Sequence, residues 1–429
     1  MADDMRKQYK TVMDDHFPPE MKISFGKQEL VYRKRTWKLE TPDGVVERGL
    51  RYGENPGQEA ALYELQKGSL TLGDVQFIQP GNSIVSGIDE DGLVQFGKHP
   101  GKTNLTDIDN ALSILKFFPD TPCCAIMKHN NPCGVARSDS LASAYEKAYF
   151  ADRIAAFGGC VVLNRPCDLA TAQLIAEQYA EVVAAPEYEE GAVERLAKRK
   201  NLRIVRAPKI AQVHKYADMR FVEFKSLMDG GMIVQQSPVS RIRNTSDFLP
   251  ACCEYKGKTY KCEREPGERE LEDLLFGWLV EQGVSSNSVL FVRDGVTVSI
   301  GTGEQDRVGV TRSAIDKAYI KHTDAMCFKK YGKSIFQIEL EIRRGERPAE
   351  QLQELTERTR EEKAGLKDAV MISDAFFPFR DAVDIAIAEG ITAIVHPGGS
   401  IRDFDSIEAC NEADPKVAMV FTGQRAFKH

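Results

Sequence analysis

The chain has 429 residues, of which 42% are hydrophobic and 28% are charged, and its formal net charge is −7 at pH 7. These values fit a soluble globular protein with two or three domains and exclude a disordered, collagen-like or coiled-coil chain. The acidic balance argues against a broad nucleic-acid-binding surface. No apolar stretch approaches the roughly 18 residues of a membrane-spanning helix, and the N-terminal stretch lacks the apolar segment of a secretory signal. The sequence therefore predicts a cytoplasmic protein that binds neither nucleic acid nor membranes.

The ten cysteines are too thinly spread for a disulfide framework and are expected to be reduced thiols. Cys252, Cys253 and Cys262 form the closest group, but they have neither the spacing nor the histidine partner of a zinc site. No metal site is predicted.

Residues 1–48 are charged and irregular, with a turn predicted at Pro42-Asp43-Gly44, and are interpreted as an N-terminal extension with a hairpin. From Thr121 onward, apolar runs alternate with stretches of helical periodicity. Strands are predicted at 121–129, 160–164, 181–185 and 202–205, and helices at 140–152, 168–180 and 192–200. This alternation is typical of a parallel or mixed sheet covered by helices.

Residues 207–270 interrupt the alternation, which then restarts. Helices are predicted at 271–282, 311–322, 346–363, 380–390 and 403–413, and strands at 287–292, 296–301, 368–373, 391–396 and 417–422. Asp294-Gly295 is a strong hairpin signal between two of these strands. The predicted organisation is an extension (1–48), a first α/β domain (49–235), a connection (236–270) and a second α/β domain (271–429).

Four segments could carry chemistry, because ligands of α/β proteins collect where strands end. The first is KHNNPCG, in which Lys128 and His129 follow a strand and Pro132 and Gly134 are expected to turn the backbone. A lysine beside a histidine suits acid–base chemistry. A polar loop with two incidental bases explains this local sequence equally well.

The other three segments are individually weak. HPGGSIRD carries a strand into a glycine turn and a helix, whose free amides would suit an anion, although a simple turn is the better explanation of that motif alone. GTGEQDRV precedes a helix but lacks the third glycine of a dinucleotide-binding loop. In LRYGENPGQ, an arginine and a tyrosine could clamp a phosphate or a heterocycle, or could lie in a surface turn. A zinc deaminase is disfavoured, since Ala136 stands where its second cysteine ligand would be.

Taken together, these segments resemble the AICAR transformylase family, which formylates 5-aminoimidazole-4-carboxamide ribonucleotide (AICAR). The matching stretches also include TNLTDIDNAL, DRIAAFGG, APEYEEGA, SNSV, SDAFFPFRD and FTGQRAFKH, and together they cover roughly residues 49–429 in order. Because only 48 residues precede LRYGENP, the chain is expected to be a stand-alone form without the IMP cyclohydrolase domain to which the transformylase is usually fused. The resemblance implies two similar α/β domains of cytidine-deaminase-like fold, with mixed sheets flanked by helices.

The resemblance also implies functional residues. Lys128 and His129 match the catalytic pair. Residues matching nucleotide contacts are Arg51, Tyr52, Asn104, Gly158, Glu181, Asn287, Arg307, Phe376 and Arg425. Residues matching the folate side are Asp381, Ser400 and Ile401. Glu181 departs from the aspartate of some relatives. A homodimer with shared active sites is also implied.

The implied reaction transfers a formyl group from 10-formyltetrahydrofolate to the 5-amino group of AICAR and needs no metal. His129 would accept the amine proton, and the Lys128 ammonium would favour a neutral imidazole and stabilise the oxyanion or protonate the leaving nitrogen. A catalytically inactive purine-nucleotide-binding regulatory protein is the alternative.

Overall fold

The computed structural model describes residue 9 and residues 11–41 and 44–429. They form two compact units. The first contains the described residues up to Asp120 together with Gly158–Val239, and the second contains Thr121–Phe157 and Ser240–His429. The domain boundaries after residues 48, 235 and 270 stay a prediction.

The strands of the first half of the chain are β1 (Glu20–Phe25), β2 (Gln28–Arg35), β3 (Trp37–Thr41), β4 (Gly44–Arg48), β5 (Leu62–Lys67), β6 (Thr71–Leu72), β7 (Val75–Gln76), β8 (Leu93–Gln95), β9 (Cys123–Lys128), β10 (Asn131–Arg137), β11 (Gly159–Leu163), β12 (Ala180–Ala185) and β13 (Arg203–Arg206). The remaining strands are β14 (Val222–Ser226), β15 (Met232–Gln236), β16 (Leu249–Pro250), β17 (Cys252–Tyr255), β18 (Lys258–Lys261), β19 (Val289–Arg293), β20 (Val296–Gly301), β21 (Val370–Ser373), β22 (Ala393–His396) and β23 (Ala418–Phe421).

The α-helices are α1 (Lys102–Leu115), α2 (Leu141–Ala151), α3 (Arg153–Ala156), α4 (Leu169–Glu177), α5 (Ala192–Ala197), α6 (Glu268–Glu281), α7 (Arg307–Tyr331), α8 (Ile335–Arg343), α9 (Glu350–Glu361), α10 (Asp381–Ala388) and α11 (Asp403–Glu412). Three 3₁₀ segments lie at Pro208–Tyr216, Thr245–Asp247 and Lys363–Gly365. Within the described residues, no helix is both long and apolar enough to span a bilayer.

The first unit combines a mixed sheet with antiparallel hairpins. Strands β11, β12, β13 and β8 lie side by side in that order, the first three parallel and β8 antiparallel to β13. Strands β1, β2 and β5 form a separate antiparallel sheet. The hairpin predicted within residues 1–48 has β3 paired with β4, while Pro42 and Asp43 of its predicted turn lie outside the described residues.

The second unit has eight neighbouring strands in the order β16, β23, β22, β21, β19, β20, β10, β9. Strands β21, β22 and β23 are parallel, and the other pairs are antiparallel. The three parallel strands are buried at every position, as expected where helices cover both faces of a sheet. Both units are therefore α/β with mixed sheets, which confirms the predicted fold class.

The predicted hairpin at Asp294-Gly295 is present between β19 and β20. Both residues adopt positive φ, 53° and 69°, the combination that a two-residue turn of type I′ requires. The long helix α7 also has ends that its sequence specifies. The Asp306 carboxylate accepts the Gly309 N–H at 2.6 Å at its start, and Gly332 ends it with a φ of 66°.

Candidate functional site

Lys128 and His129 lie in a tight turn of the second unit. Lys128 is the last residue of β9, and the chain reverses at His129 and Asn130, whose φ values are 55° and 63°. The turn leads directly into antiparallel β10. The expectation that Pro132 and Gly134 turn the backbone is wrong, because both lie within β10 and the turn is made by the two preceding residues.

The close approach of helix α2 accounts for the glycine in this strand. A Cβ on Gly134 would lie 2.1 Å from the Ala148 carbonyl oxygen, so any larger residue would push the helix away. The Lys128 ammonium donates to the Phe157 carbonyl at 2.8 Å. His129 is exposed. The lysine is thus tethered at the turn while the imidazole faces solvent.

Asn131 fixes the turn to the loop before β19. Its Oδ1 accepts the Ser285 N–H at 2.9 Å and lies 3.3 Å from the Thr302 hydroxyl oxygen. Thr302 donates to the Ser285 carbonyl at 2.7 Å, and the Gly303 N–H donates to the Asn287 carbonyl at 3.0 Å. The segment that carries Asn287 is therefore held in register with the Lys128–His129 turn.

Asn287 and Arg307 are in direct contact. The Arg307 guanidinium donates to Asn287 Oδ1 at 2.9 Å and to the Ser288 carbonyl at 3.0 Å. Its charge is paired with the fully buried Asp374, whose other carboxylate oxygen accepts the Ser286 hydroxyl. We call residues 286, 287, 307 and 374 the arginine network. It presents a positioned amide and guanidinium next to the loop that Asn131 holds.

A buried carboxyl group, that of Glu281, lies next to the arginine network. Glu281 is fully buried and accepts the Ser288 hydroxyl at 2.6 Å. Burial, followed by the nearby Asp374 charge, raises the pKa of Glu281. Because burial favours the neutral form of Glu281, Asp374 is the carboxylate that balances the charge of Arg307.

Phe376 and Arg425 line one open cavity of about 720 Å³ in the second unit. The other lining residues come from three loops and are Arg241, Pro397, Gly398, Gly399, Gly423, Gln424 and Phe427. The Arg425 guanidinium stacks over the Phe427 ring at 4.8 Å. Flat aromatic and cationic groups around a cavity of this size can hold a planar heterocycle or an anion.

The glycine turn after β22 is the one whose amides could suit an anion, although its sequence favours a simple turn. Asp403 uses them instead: its Oδ2 accepts the N–H groups of Gly399 at 2.7 Å and Ser400 at 3.0 Å. The protein's own carboxylate therefore occupies this turn. The neighbouring Ile401 side chain is 84% exposed, and Asp381 is an exposed residue at the start of α10.

His396 ends β22 in a fully buried position between the rings of Phe377 and Phe421, at centroid distances of 5.1 and 4.7 Å. Its Nδ1 accepts the Gly398 N–H at 3.1 Å, so the neutral ring carries its proton on Nε2. Burial, and secondarily the charge of Arg307, lowers the pKa of His396 to about 3.

This histidine should make the stability of the protein depend on pH. From pH 6.5, the ordinary pKa of histidine, down to about 3, the unfolded chain binds a proton that the folded chain does not. The free energy of unfolding should therefore fall with decreasing pH across this window, by about 1.4 kcal/mol per pH unit from this residue. The measurement is the free energy of unfolding, from urea denaturation, at several pH values between 3.5 and 6. For His396→Asn, the slope of this free energy against pH should be smaller by that amount. Equal slopes for the variant and the original protein would contradict the assignment.

In the first unit, Arg51 and Tyr52 lie against the start of α1. The Arg51 N–H donates to the Pro100 carbonyl at 2.9 Å, and the Lys102 N–H donates to the Tyr52 carbonyl at 3.2 Å. The Arg51 guanidinium stacks on the Tyr52 ring at 4.6 Å. Asn104 Oδ1 accepts the Gly101 N–H at 3.2 Å, so this predicted site residue also caps α1.

Glu181 lies on β12 and contacts an arginine that the sequence analysis did not select. Arg203 Nη1 is 3.5 Å from Glu181 Oε2 and 3.3 Å from the Glu181 carbonyl. Gly158 lies in the same part of the unit, because its N–H donates to the carbonyl of Tyr179 at 2.7 Å. Arg51 and Arg203 are close enough for their charges to interact, so this unit has a cationic cluster beside a carboxylate.

The cysteine group is arranged as the ends of a hairpin. Cys252 and Cys253 lie on β17, and Cys262 follows β18. Cys252 is exposed, whereas Cys262 is buried. Within residues 9, 11–41 and 44–429, no cluster of three or more His, Cys, Asp or Glu side chains has the geometry of a metal site.

Comparison with known proteins identifies the family. A family model described as the AICARFT/IMPCHase bienzyme matches residues 9–317. The chain belongs to the AICARFT/IMPCHase family. The bifunctional purine biosynthesis protein PurH of Aquifex aeolicus is 34% identical over 411 residues, which cover 95% of this chain and 62% of that protein. PurH of Clostridium perfringens (strain 13 / Type A) is 36% identical over 380 residues, or 89% of this chain and 58% of that protein. The chain thus spans about three fifths of the length of these relatives, and the stand-alone form stays a prediction.

Three residues of this AICARFT/IMPCHase family member were missed in the sequence analysis. Asn131 and Asp374 lie within matched stretches, KHNNPCG and SDAFFPFRD, but nothing in their local pattern distinguishes them from other polar residues. Arg203 and Arg206 flank the two apolar residues of β13, whose sequence is RIVR. An arginine at the start of a short apolar strand is the signal that could have selected Arg203, since full burial of an arginine is rare.

Proposed function

We propose that this chain transfers a formyl group from 10-formyltetrahydrofolate to the 5-amino group of AICAR, as an enzyme of purine biosynthesis. The observation that carries the proposal is the Lys128–His129 turn, which is tied through Asn131 to the loop that bears the arginine network. An acid–base pair held next to fixed anion-binding and amide groups is the arrangement that acyl transfer to a polar nucleotide needs. The names of the relatives, which are bifunctional purine biosynthesis proteins, support it.

Each step of the formyl transfer gives a role to Lys128 or His129. The 5-amino group is a weak nucleophile because its lone pair is delocalised into the imidazole ring. When its nitrogen attacks the formyl carbon, the carbonyl π electrons move to oxygen, and the amine proton passes to His129. The oxyanion then re-forms the carbonyl as the bond to the folate nitrogen breaks, and that nitrogen takes up a proton.

Lys128 would stabilise the oxyanion or supply that last proton. Its tether to the Phe157 carbonyl at 2.8 Å limits where the ammonium can be, so it acts from a fixed position. No step needs a metal, because the formyl group is already activated on the folate.

The remaining assigned residues would hold the substrates. For the nucleotide we assign Arg51, Tyr52, Asn104, Gly158, Glu181, Asn287, Arg307, Phe376 and Arg425. For the folate we assign Asp381, Ser400 and Ile401. Ile401 is the apolar residue of the second set and is exposed, which suits contact with a pterin or benzoyl ring. A homodimer with shared active sites, in the cytoplasm, completes the proposal.

The direct test is to incubate the purified chain with AICAR and 10-formyltetrahydrofolate and to follow the release of tetrahydrofolate by absorbance. We expect turnover that requires both substrates. Binding of AICAR without any release of tetrahydrofolate would contradict the proposal and would favour a regulatory nucleotide-binding protein.

A further inference from the structure

The first unit buries two arginines in one cluster. Arg203, the first residue of β13, is 1% exposed, and Arg51 is 7% exposed. The pKa of Arg203 is lowered to about 10, first by burial and then by the positive charge of Arg51. Two guanidinium groups that repel each other in the interior need a compensating negative charge.

The protein supplies only part of that charge. Glu181 is 3.5 Å from Arg203 Nη1, and its side chain is 35% exposed. Within the described residues, Nε and Nη2 of Arg203 and Nε of Arg51 are buried without a hydrogen-bond partner. Buried donors left without an acceptor are costly, so this cluster is incomplete as it stands.

The two unpartnered donors of Arg203 lie on the same edge of its guanidinium group. Glu181 engages Nη1 of Arg203, whereas Nε and Nη2 form the other edge of the guanidinium, the fork that binds carboxylates and phosphates through two parallel hydrogen bonds. Arg51 adds a second charge. Its Nη2 is 3.6 Å from where a Cβ on Gly101 would lie, next to the start of the 14-residue helix α1, where the helix dipole also favours an anion.

We propose that Arg203, together with Arg51, binds the phosphate monoester of the nucleotide substrate. This inference rests on the proposed function and adds a phosphate-binding residue to it. A phosphate group can accept both hydrogen bonds from the free fork of Arg203, and it supplies the negative charge that Glu181 alone does not. A lysine at position 203 would keep the charge but lose the fork.

The test compares ligands that differ in one charged group. Isothermal titration calorimetry would measure the dissociation constants of AICAR, of its nucleoside without the phosphate, and of inorganic phosphate. For Arg203→Met we expect at least a tenfold weaker affinity for AICAR and for inorganic phosphate, and a nucleoside affinity within twofold of the original. The affinities of Arg203→Lys for AICAR and for inorganic phosphate should lie between those of Arg203→Met and those of the original protein.

The matched control is Arg206→Met, on the same strand. Arg206 pairs with Glu187 at 2.6 Å, and its side chain is 37% exposed, so its loss should leave all three affinities within twofold. The melting temperature checks the fold. Because Arg203→Met removes a buried charge, we expect it to melt no lower than the original protein when ligand is absent, and phosphate should raise the melting temperature of the original more than that of the variant.

Two results would overturn the inference. The first is an Arg203→Met variant that binds AICAR and phosphate like the original protein. The second is a loss confined to folates that carry a glutamate tail, which would assign the cluster to those carboxylates. If the original protein fails to transfer a formyl group but Arg203→Met still loses AICAR and phosphate binding, the proposed function is wrong and this phosphate site stands.

Discussion

His129→Ala should lose most formyl transfer, about 10²- to 10⁴-fold in kcat, while its dissociation constant for AICAR stays within about threefold. Alanine cannot accept the proton of the amine, whereas the contacts that we propose for the nucleotide come from other residues. The exposed position of His129 means that its removal leaves no cavity and exposes no buried partner. The measurement is tetrahydrofolate release under saturating substrates, with binding of AICAR followed by calorimetry.

The control for this variant is His214→Ala, which removes another exposed histidine and should leave kcat within twofold. Unchanged turnover by His129→Ala would remove the assigned base. A parallel loss of AICAR affinity and turnover would instead make His129 a binding residue.

Asp374→Ala should cost about 3–5 kcal/mol of unfolding free energy, the largest expected effect on stability. Asp374 is fully buried and is the carboxylate paired with Arg307, which is itself 8% exposed. Its loss leaves a buried guanidinium with only neutral acceptors, Ser288 and Asn287. Urea denaturation of the variant and the original protein measures the difference.

The double variant Asp374→Ala/Arg307→Met separates the lost pairing from lost packing. Because it removes both charges, it should recover most of the stability that the single variant loses. Asp381→Ala, which removes an exposed carboxylate at the start of α10, should change the free energy of unfolding by about 1 kcal/mol or less. A value for Asp374→Ala within about 1 kcal/mol of the original protein would show that Arg307 does not depend on this pairing.

Most elements between residues 121 and 422 were predictable because their signals are local. The apolar runs of β12, β21 and β22 and the Asp294-Gly295 turn each specify backbone structure through a few neighbouring residues. Strand β10 was missed for the same reason. Its Pro132 and Gly134 are local turn signals, yet in the structure they pair with Met127 and Ile126 of β9, a pairing that no local pattern reveals.

The candidate site likewise has features that local sequence signals predict and features that they do not. The α/β class, the principal strands and helices of residues 121–422 and the resemblance to a family's functional set follow from local patterns in the sequence. The fold is needed to show that Asn131 fixes the Lys128–His129 turn to the Asn287 loop and that Arg203 is buried beside Arg51. Backbone propensity acts over a few residues, whereas each of these two contacts joins residues more than a hundred positions apart in the chain.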